Sequence, residues 1–505
     1  MRFGIDFGTT RTVIAAVDRG NYPVLNVANH RGDPEEYIPS VVALDGSGQL
    51  RAGWEALGCE PARLVRSFKR LLSSGQVTAE TPVDMGEETR PLAEVLGVFA
   101  EAIAQSIRRY QRQHGDDSAP EAVVGVPAHA PSAQRLLTMD ALTRAGITVL
   151  ALVNEPSAAA FEYTHRHAST LNSKRRSIIV YDLGGGTFDV SLLRIDGHRH
   201  DVLASRGIAR LGGDDFDEVL ASIALRHAQR EEDAFGRRAR CRLLDEVRSA
   251  KEAVKPQSRR IVVELGEEDI IIPVEEFYEG IRPLVEETLR TMEPLVGAEN
   301  SLVDTDIAGV YLVGGATALP LVPRMVRERC GRRVHRSPLP TASTAVGLAI
   351  AADPSAEFFL TDRRSRGIGV FREMDAGQAV SFDPLLAPGA VQGGTHITRR
   401  YRAAHNIGWF RFVEYTDMDA AFTPGDVATL AEVVVPFDPA LRGADAQLSE
   451  EELRALPVTR TDEGPLVEET LSIDSDGIAE IRIELPEDGW SMSVSTGSGR
   501  VQAHR

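Results

Sequence analysis

The pattern of apolar and polar positions contains one unusual arrangement twice. In residues 177–193 an apolar, β-branched run reaches Asp182, three glycines and Thr187 follow, and a second apolar run leads away. Residues 2–17 follow a similar order, with Asp6 in the place of Asp182. Each stretch predicts a β-hairpin whose turn consists largely of exposed backbone. Two such hairpins predict two similar lobes that face one ligand.

Strand-like and helix-like runs alternate around these hairpins. Apolar residues within 96–107 have helical spacing, residues 122–128 form an apolar run typical of a buried strand, and a capped helix at 132–146 precedes another strand at 147–153. Residues 62–72 are also predicted to be helical. This alternation predicts an α/β domain with a doubly wound parallel core.

The pattern changes to short β runs after residue 363. These runs, the last two joined by the turn sequence at 474–477, predict a β-sandwich. Ser449 and Glu452 have the spacing of a capping box, which predicts a short helix between strands. Residues after 485 contain no long amphipathic helix.

An apolar segment separates the two patterns. Residues 358–360 are Phe-Phe-Leu and lie between acidic residues. An exposed linker should be polar, so this segment predicts a docking site that is used at least part of the time. We therefore expect a first domain at 1–353, a linker at 354–362 and a sandwich domain at 363–505.

Composition and charge narrow the range of functions. The chain has 505 residues, 43% of them hydrophobic, which allows roughly two to four domains. Its 56 basic and 74 acidic residues give a formal net charge of −18, which disfavours partners such as nucleic acid or an anionic membrane. Three scattered cysteines predict neither a disulfide framework nor a thiolate metal site. No apolar run approaches the ~18 residues that span a bilayer, and we expect a cytoplasmic protein.

The hairpin turns suit a phosphate ligand. Where Cβ atoms are missing, successive backbone N–H groups can point at one anion, and threonine hydroxyls add donors. Asp6 and Asp182 are then placed to hold the Mg²⁺ that accompanies phosphates, through water. For either motif alone, the alternative is an ordinary glycine-rich turn. The candidate phosphate-binding residues are Gly8, Thr9, Thr10, Arg11, Gly184, Gly185, Gly186 and Thr187.

The residue sequences of both motifs resemble those of a known family. Gly-Ile-Asp-Phe-Gly-Thr-Thr at 4–10 and Asp-Leu-Gly-Gly-Gly-Thr-Phe-Asp-Val at 182–190 resemble the paired phosphate loops of the actin, sugar-kinase and heat-shock ATPase superfold. They are most similar to those of the seventy-kilodalton heat-shock (DnaK-like) chaperones, here in a short form without a lid. The resemblance implies a two-lobed actin-like ATPase fold with duplicated ribonuclease-H-like lobes, followed by a β-sandwich. It also implies ATP or ADP and Mg²⁺ as cofactors.

The resemblance assigns roles residue by residue. It implies catalytic roles for Lys69, Glu155, Asp182, Thr187 and Asp189. Further nucleotide contacts are implied for Gly212, Gly213, Lys251, Gly314 and Gly315. An allosteric relay to the sandwich is implied for Pro127, Arg135, Phe358, Phe359 and Leu360.

The adenosine side departs from the family. On the family's adenosine helix only Lys251 is retained, residues 316–318 read Ala-Thr-Ala in place of Ser-Thr-Arg, and Thr341 replaces an aspartate. The phosphate-binding part therefore matches the family, whereas the base pocket is expected to differ.

Two functions of different classes follow. The first is an ATP-dependent chaperone that couples hydrolysis through the linker to the binding of unfolded or extended polypeptide, with a co-chaperone and a nucleotide-exchange factor as implied partners. The alternative is a nucleotide-sensing protein with little ATPase activity that docks one dedicated partner. A small-molecule kinase and an actin-like filament share the phosphate loops, but the apolar linker and the sandwich argue against the kinase, and a filament is similarly disfavoured. Core packing is the expected role of four apolar residues near the peptide-gripping loops of the family, namely Phe382, Leu385, Leu386 and Ile397.

Overall fold

The chain divides into two units. The first comprises Met1–Leu71, Glu80–His129 and Thr138–Asp362, and the second comprises Leu72–Ala79, Ala130–Leu137 and Arg363–Arg505. The structure is a computed structural model. It describes residues 1–60, 63–74, 76–86, 88–167, 171–172, 174–231, 236–266, 268–296, 306–331, 333–374, 379–391, 393–419, 423–442, 448–495 and 501–504.

The strands and helices of the first unit alternate along the chain. Its strands are β1 (Arg2–Phe7), β2 (Arg11–Ala16), β3 (Val27–Ala28), β4 (Pro34–Glu35), β5 (Ile38–Pro39), β6 (Val41–Leu44), β7 (Leu50–Ala52), β8 (Leu64–Arg66), β9 (Pro82–Asp84), β10 (Thr89–Pro91), β11 (Glu121–Val126), β12 (Thr148–Asn154), β13 (Ser177–Leu183), β14 (Phe188–Asp196), β15 (Arg199–Ile208), β16 (Arg260–Leu265), β17 (Glu268–Pro273), β18 (Ile307–Val313), β19 (Val334–Arg336) and β20 (Phe359–Thr361). The helices that lie in it wholly or in part are α1 (Gly53–Ala56), α2 (Lys69–Leu72), α3 (Leu92–Gln113), α4 (Ser132–Arg144), α5 (Glu155–His167), α6 (Gly213–His227), α7 (Arg237–Glu252), α8 (Val274–Val296), α9 (Leu321–Cys330) and α10 (Ser343–Ala352).

Its two largest sheets repeat one topology. Their strand orders are β12-β11-β1-β2-β5 and β19-β18-β13-β14-β15-β20. In each, a hairpin (β1 with β2, or β13 with β14) is antiparallel, and its first strand pairs in parallel with a later strand, β11 or β18. The parallel core predicted from the βαβα pattern is therefore present, but the hairpins make both sheets mixed. The repetition corresponds to the two lobes that the paired motifs predict.

Helix α10 packs tightly because its residues are small. A Cβ atom built on Gly347 would lie 1.8 Å from the carbonyl oxygen of Ala158 in α5. Since real Cβ atoms do not approach backbone so closely, only glycine allows this contact. The helix ends at Ala352, and Asp353 follows it.

The helix predicted at 62–72 is wrong over most of its described length. Leu64–Arg66 is a strand that pairs antiparallel with β6, and α2 contains only Lys69–Leu72. Ser67 has a φ of 52°, a left-handed conformation that does not continue a helix. Pairing with β6 therefore overrides the local helical pattern, and the turn at Ser67 precedes Lys69.

The second unit has two sheets. Its strands are β21 (Gly367–Met374), β22 (Ala379–Leu386), β23 (Thr395–Arg402), β24 (Ile407–Tyr415), β25 (Val427–Pro436), β26 (Leu466–Ile473), β27 (Ala479–Leu485), β28 (Trp490–Ser495) and β29 (Val501–His504). They form sheets in the orders β22-β21-β24-β25 and β23-β26-β27-β28-β29, with buried residues of both in one core. The predicted hairpin turn at 474–477 joins β26 to β27, and the predicted capping box starts α11 (Glu450–Ala455).

Among the described residues, no helix has both the length and the apolar character needed to cross a membrane. The described cysteines Cys59, Cys241 and Cys330 are free thiols, in agreement with the predicted lack of a disulfide framework.

Candidate active site

The turns of the two hairpins contact each other. A Cβ atom built on Gly185 would lie 2.4 Å from Cγ2 of Thr10, so a larger residue does not fit there. The carbonyl of Gly184 accepts a hydrogen bond from N–H of Gly213 (3.0 Å), and that of Gly185 accepts one from N–H of Asp214 (2.8 Å). The start of α6 is therefore joined to the second turn, and backbone groups from three segments converge.

A cavity of about 280 Å³ opens beside these turns. The sequence-predicted residues that line it are Asp6, Gly8, Thr9, Thr10, Arg11, Lys69, Glu155, Asp182, Gly184, Gly185, Thr187, Gly213, Lys251, Gly314 and Gly315. Three predicted residues are not part of the lining, namely Gly186, Gly212 and Asp189. Residues separated by more than three hundred positions thus meet around one space.

Eight lining residues received no role from the sequence. They are Asp214, Phe216, Arg248, Glu252, Val254, Leu319, Pro340 and Thr344. Val254 follows Lys251 by three residues, just after α7 ends at Glu252, and Thr344 follows Thr341 by three residues, just after α10 begins at Ser343. Attention to the residues next to each recognised position could have found these two. Leu319 and Pro340 follow no comparable pattern.

Asp6, Glu155, Asp182 and the buried Lys69 all line the cavity. Nζ of Lys69 lies 2.9 Å from Oε1 of Glu155 and also donates to the carbonyl oxygen of Phe7. The pKa of Asp6 is raised to about 7, first by burial and then by the charge of Glu155, with Lys69 acting in the opposite direction. Burial, with the charges of Glu155 and Asp6, raises the pKa of Asp182 well above its usual value. Burial also raises the pKa of Glu155, against the effect of Lys69.

This arrangement fits a divalent cation whose ligands include both carboxylate and phosphate oxygens. In the part of the chain that the structure describes, no group of three or more His, Cys, Asp or Glu side chains forms a metal site by itself. Mg²⁺ commonly keeps several waters and takes only one or two carboxylates together with substrate phosphates. Asp6 and Asp182 both line the cavity next to the hairpin turns. Because burial disfavours their charged forms, a cation there would offset the cost of ionising them.

Asp189 lies outside this constellation. It is 3% exposed, and its Oδ1 lies 3.3 Å from Nδ1 of His129. It is paired with Asp182 across the β13–β14 hairpin, so the two side chains belong to neighbouring strands. Its charge nevertheless raises the pKa of both Asp182 and Glu155. A catalytic role for Asp189 stays a prediction.

The rest of the cavity lining combines charged and apolar residues. Its charged residues bind one another: Lys251 contacts Asp217 (2.5 Å) and the carbonyl of Gly213 (2.7 Å), and Arg11 contacts Glu252 (2.5 Å). Ala316 and Ala318 line the cavity, as do Val254 and Leu319. Thr317 between the alanines is fully buried and donates to Gly314 instead.

The apolar linker segment is docked on the first unit. Phe359–Thr361 forms β20, which pairs in parallel with the edge strand β15. Phe358 packs its ring 5.3 Å from that of Phe161 and 5.4 Å from that of His200. Leu360 packs on the buried core, whereas Phe359 is 67% exposed. Of the three residues predicted to dock together, two are therefore packed and Phe359 faces solvent, because alternate residues of a strand point to opposite sides.

The end of the linker reaches the segment that carries Glu155. Asp362 accepts a hydrogen bond from Nδ2 of Asn154 at 2.6 Å and one from Oγ of Ser157 at 3.4 Å. These residues flank Glu155, whose side chain binds Lys69. A direct chain of contacts therefore runs from the linker to the cavity within the first unit.

The two other residues of the predicted relay fall in different units. Pro127 is buried after β11 in the first unit. Arg135 belongs to the second unit, where it is 4% exposed and donates to the carbonyl oxygen of Asp476 at 3.2 Å. Their relay function stays a prediction.

The second unit has its own cavity, of about 370 Å³. Phe382, Leu385, Leu386 and Ile397 are not part of its lining; Leu385 belongs to the core, and Leu386 and Ile397 pack against it. Phe382 packs at a tilt against Phe371 and edge-to-face against Tyr415. The predicted packing role of these four residues is confirmed.

Comparison with known proteins identifies the family. A family model described as Hsp70 protein matches residues 2–363. The chain belongs to the Hsp70 family. The Chaperone protein HscA homologs of Burkholderia pseudomallei (strain 668) and Burkholderia mallei (strain SAVP1) are each 32% identical to this Hsp70-family chain over 512 residues, which cover 97% of it and 77% of either relative. The Chaperone protein HscA of Cronobacter sakazakii (strain ATCC BAA-894) is 33% identical over 404 residues, covering 71% of this chain and 60% of that protein.

Family membership confirms the main predictions from the two motifs. The Hsp70 fold is a two-lobed actin-like ATPase followed by a β-sandwich, in agreement with the repeated sheets and the β-rich second unit. Hsp70 proteins are ATP-dependent chaperones, and this chain is one of them. No finding favours the nucleotide-sensing alternative.

Proposed function

We propose that this Hsp70-family chain hydrolyses ATP in the 280 Å³ cavity, with the transferred phosphate between the two hairpin turns. The observation that carries the proposal is the buried Lys69, held by Glu155 in the same cavity as Asp6 and Asp182. A cation in this position stabilises negative charge that develops on the γ-phosphoryl oxygens. Glu155 orients the attacking water.

The two hairpin turns hold the phosphates through backbone N–H groups and threonine hydroxyls. Thr187 and Thr10 supply hydroxyl donors from opposite lobes, and Gly213 adds the N-terminus of α6, where helix geometry favours an anion. Asp6 and Asp182 hold a hydrated Mg²⁺, which, when bound, neutralises phosphate charge. Asp189 acts on the site through its charge rather than by contact.

The linker couples this site to polypeptide binding in the second unit. The contact of Asp362 with Asn154, next to Glu155, supports the first step of such coupling. The 370 Å³ cavity supports binding of an extended segment in the sandwich. A co-chaperone, a nucleotide-exchange factor and a cytoplasmic location belong to the same proposal, and the free thiols agree with a reducing compartment.

Replacement of Asp182 by asparagine tests the nucleotide site. We expect single-turnover phosphate release to fall at least about a hundredfold, because a charge that positions the metal is lost. Asp196→Asn makes the same change at the exposed far end of this hairpin and serves as the matched control. Unchanged turnover in Asp182→Asn, with ATP binding measured by calorimetry in parallel, would refute the assignment.

A further inference from the structure

The cavity of the second unit is lined by both apolar and charged residues. It lies among β21, β23 and β24 and the segment that joins the last two strands. Its apolar lining includes the buried Ile407, Phe410 and Phe437, and the partly exposed Met374 and Trp409. Its charged lining residues are Arg372, Glu373, Arg402, His405 and Arg460. The apolar walls suit an apolar side chain, so the charges decide what may flank it.

Arg372 is fully occupied inside the unit. It binds Glu469 at 2.7 Å and Asp383 at 3.0 Å, and its guanidinium carbon lies 5.1 Å from the ring centre of Tyr401 and 5.5 Å from that of Phe410. Such a stacked and paired guanidinium holds the sheets together and has little capacity for a further anion.

The other two arginines of the lining, Arg402 and Arg460, are exposed. Arg460 is exposed, and in the described part of the unit its side chain makes no hydrogen bond or ion pair. The side chain of Arg402 is 64% exposed; it contacts the exposed Glu487 at 3.1 Å and donates a hydrogen bond to the carbonyl of the buried Gly464 at 3.1 Å. An exposed ion pair of this kind readily gives way to another partner, because it contributes little free energy to the stability of the fold. On the acidic side, Glu373 pairs with Nδ1 of His405 at 3.0 Å.

We propose that this cavity selects extended polypeptide segments in which an apolar side chain is flanked by acidic residues. The inference rests on the proposed polypeptide binding and adds the class of segment. Carboxylates on the flanks would meet Arg460 and Arg402, whereas flanking lysines would meet the same cations and be repelled. Nucleic acid also carries negative charge, but it has no apolar side chain to pack against Ile407, Phe410 and Phe437.

Fluorescence anisotropy with three labelled peptides tests the proposal on the full chain. The peptides share a leucine-rich centre and carry glutamate, glutamine or lysine flanks. We expect the glutamate-flanked peptide to bind about three- to tenfold more tightly than the glutamine-flanked one, and the lysine-flanked one to bind most weakly, with differences that shrink at high salt. If none of the peptides binds, polypeptide binding itself fails. If all bind but the lysine-flanked peptide binds as tightly as the glutamate-flanked one, only the selectivity is refuted.

Two variants separate selectivity from structural damage. Arg460→Glu should weaken the glutamate-flanked peptide and strengthen the lysine-flanked one, whereas a damaged cavity would weaken both. Glu487→Gln should release Arg402 and raise the affinity for the glutamate-flanked peptide about two- to fivefold. Arg482→Glu, on the exposed face of β27, is the matched control and should change neither. Displacement of the glutamate-flanked peptide by a short oligothymidylate at equal concentration would overturn the proposal in favour of nucleic acid.

Discussion

Replacement of Lys69 by methionine should separate the stability of the nucleotide site from its catalytic function. The side chain of Lys69 is 4% exposed and lies 2.9 Å from Glu155, so the substitution removes one partner of a buried ion pair. Breaking such a pair costs about 3–5 kcal/mol when the remaining charge stays buried. Lys69 also lowers the pKa of Asp6, Glu155 and Asp182, so its loss raises all three further.

The carboxyl groups can respond by taking up protons, and this limits the loss. We expect Lys69→Met to reduce the free energy of unfolding by about 1–3 kcal/mol near neutral pH. A carboxyl group whose pKa is raised in the folded state destabilises that state only where the unfolded chain is ionised. The loss should therefore be small below the ordinary carboxyl pKa of about 4 and should grow as the pH rises through the folded-state values.

Two assays test this reasoning. Urea unfolding between acid and neutral pH measures the stability, and single-turnover phosphate release measures catalysis. Turnover should fall about 10²–10³-fold, because a charge aimed at the transferred phosphate is missing. Adding Glu155→Gln to Lys69→Met should restore most of the stability at neutral pH without restoring turnover. If Lys69→Met is as stable as the parent at every pH, or if its turnover is unchanged, the roles assigned to Lys69 are refuted.

Three further predictions concern packing and the linker. Gly185→Ala should cost about 1–3 kcal/mol of stability in urea unfolding, because its Cβ would lie 2.4 Å from Cγ2 of Thr10, and Thr10→Ala should recover part of this loss. The pKa of His200 is lowered to about 4, chiefly by burial, so stability should fall by up to about 3 kcal/mol as the pH drops from 6.5 to 4, and His200→Gln should flatten that dependence in pH-resolved unfolding. Leu360→Ser should speed amide exchange along β15, because Leu360 is the residue of β20 that packs on the buried core. Phe359→Ser, at an exposed position of β20, should not change this exchange. Equal effects of the two substitutions would contradict the idea that burial of Leu360 docks the linker.

The hairpins, the capping box and the turn at 474–477 follow from neighbouring residues alone. Each depends on contacts within a few positions, such as the bond between Ser449 and Glu452, so the pattern in the chain was sufficient. The paired glycine motifs also predicted the cavity, because consecutive glycines in a turn allow a ligand to approach the backbone closely. The resemblance carried by these motifs supplied further lining residues, among them Lys69, Glu155 and Lys251, but not Val254, Leu319, Pro340 or Thr344.

Tertiary contacts decided the rest. Leu64–Arg66 became a strand because β6 offers it backbone partners from more than twenty positions away, which local helical spacing does not register. The placement of Asp189 against His129, the inward turn of Thr317 and the exposure of Phe359 depend on which neighbour fills the adjacent space. By itself, the sequence determined the elements and motifs that short-range hydrogen bonding and backbone geometry specify. Only the tertiary structure decided which side chains face a cavity, because that depends on packing between residues far apart in the chain.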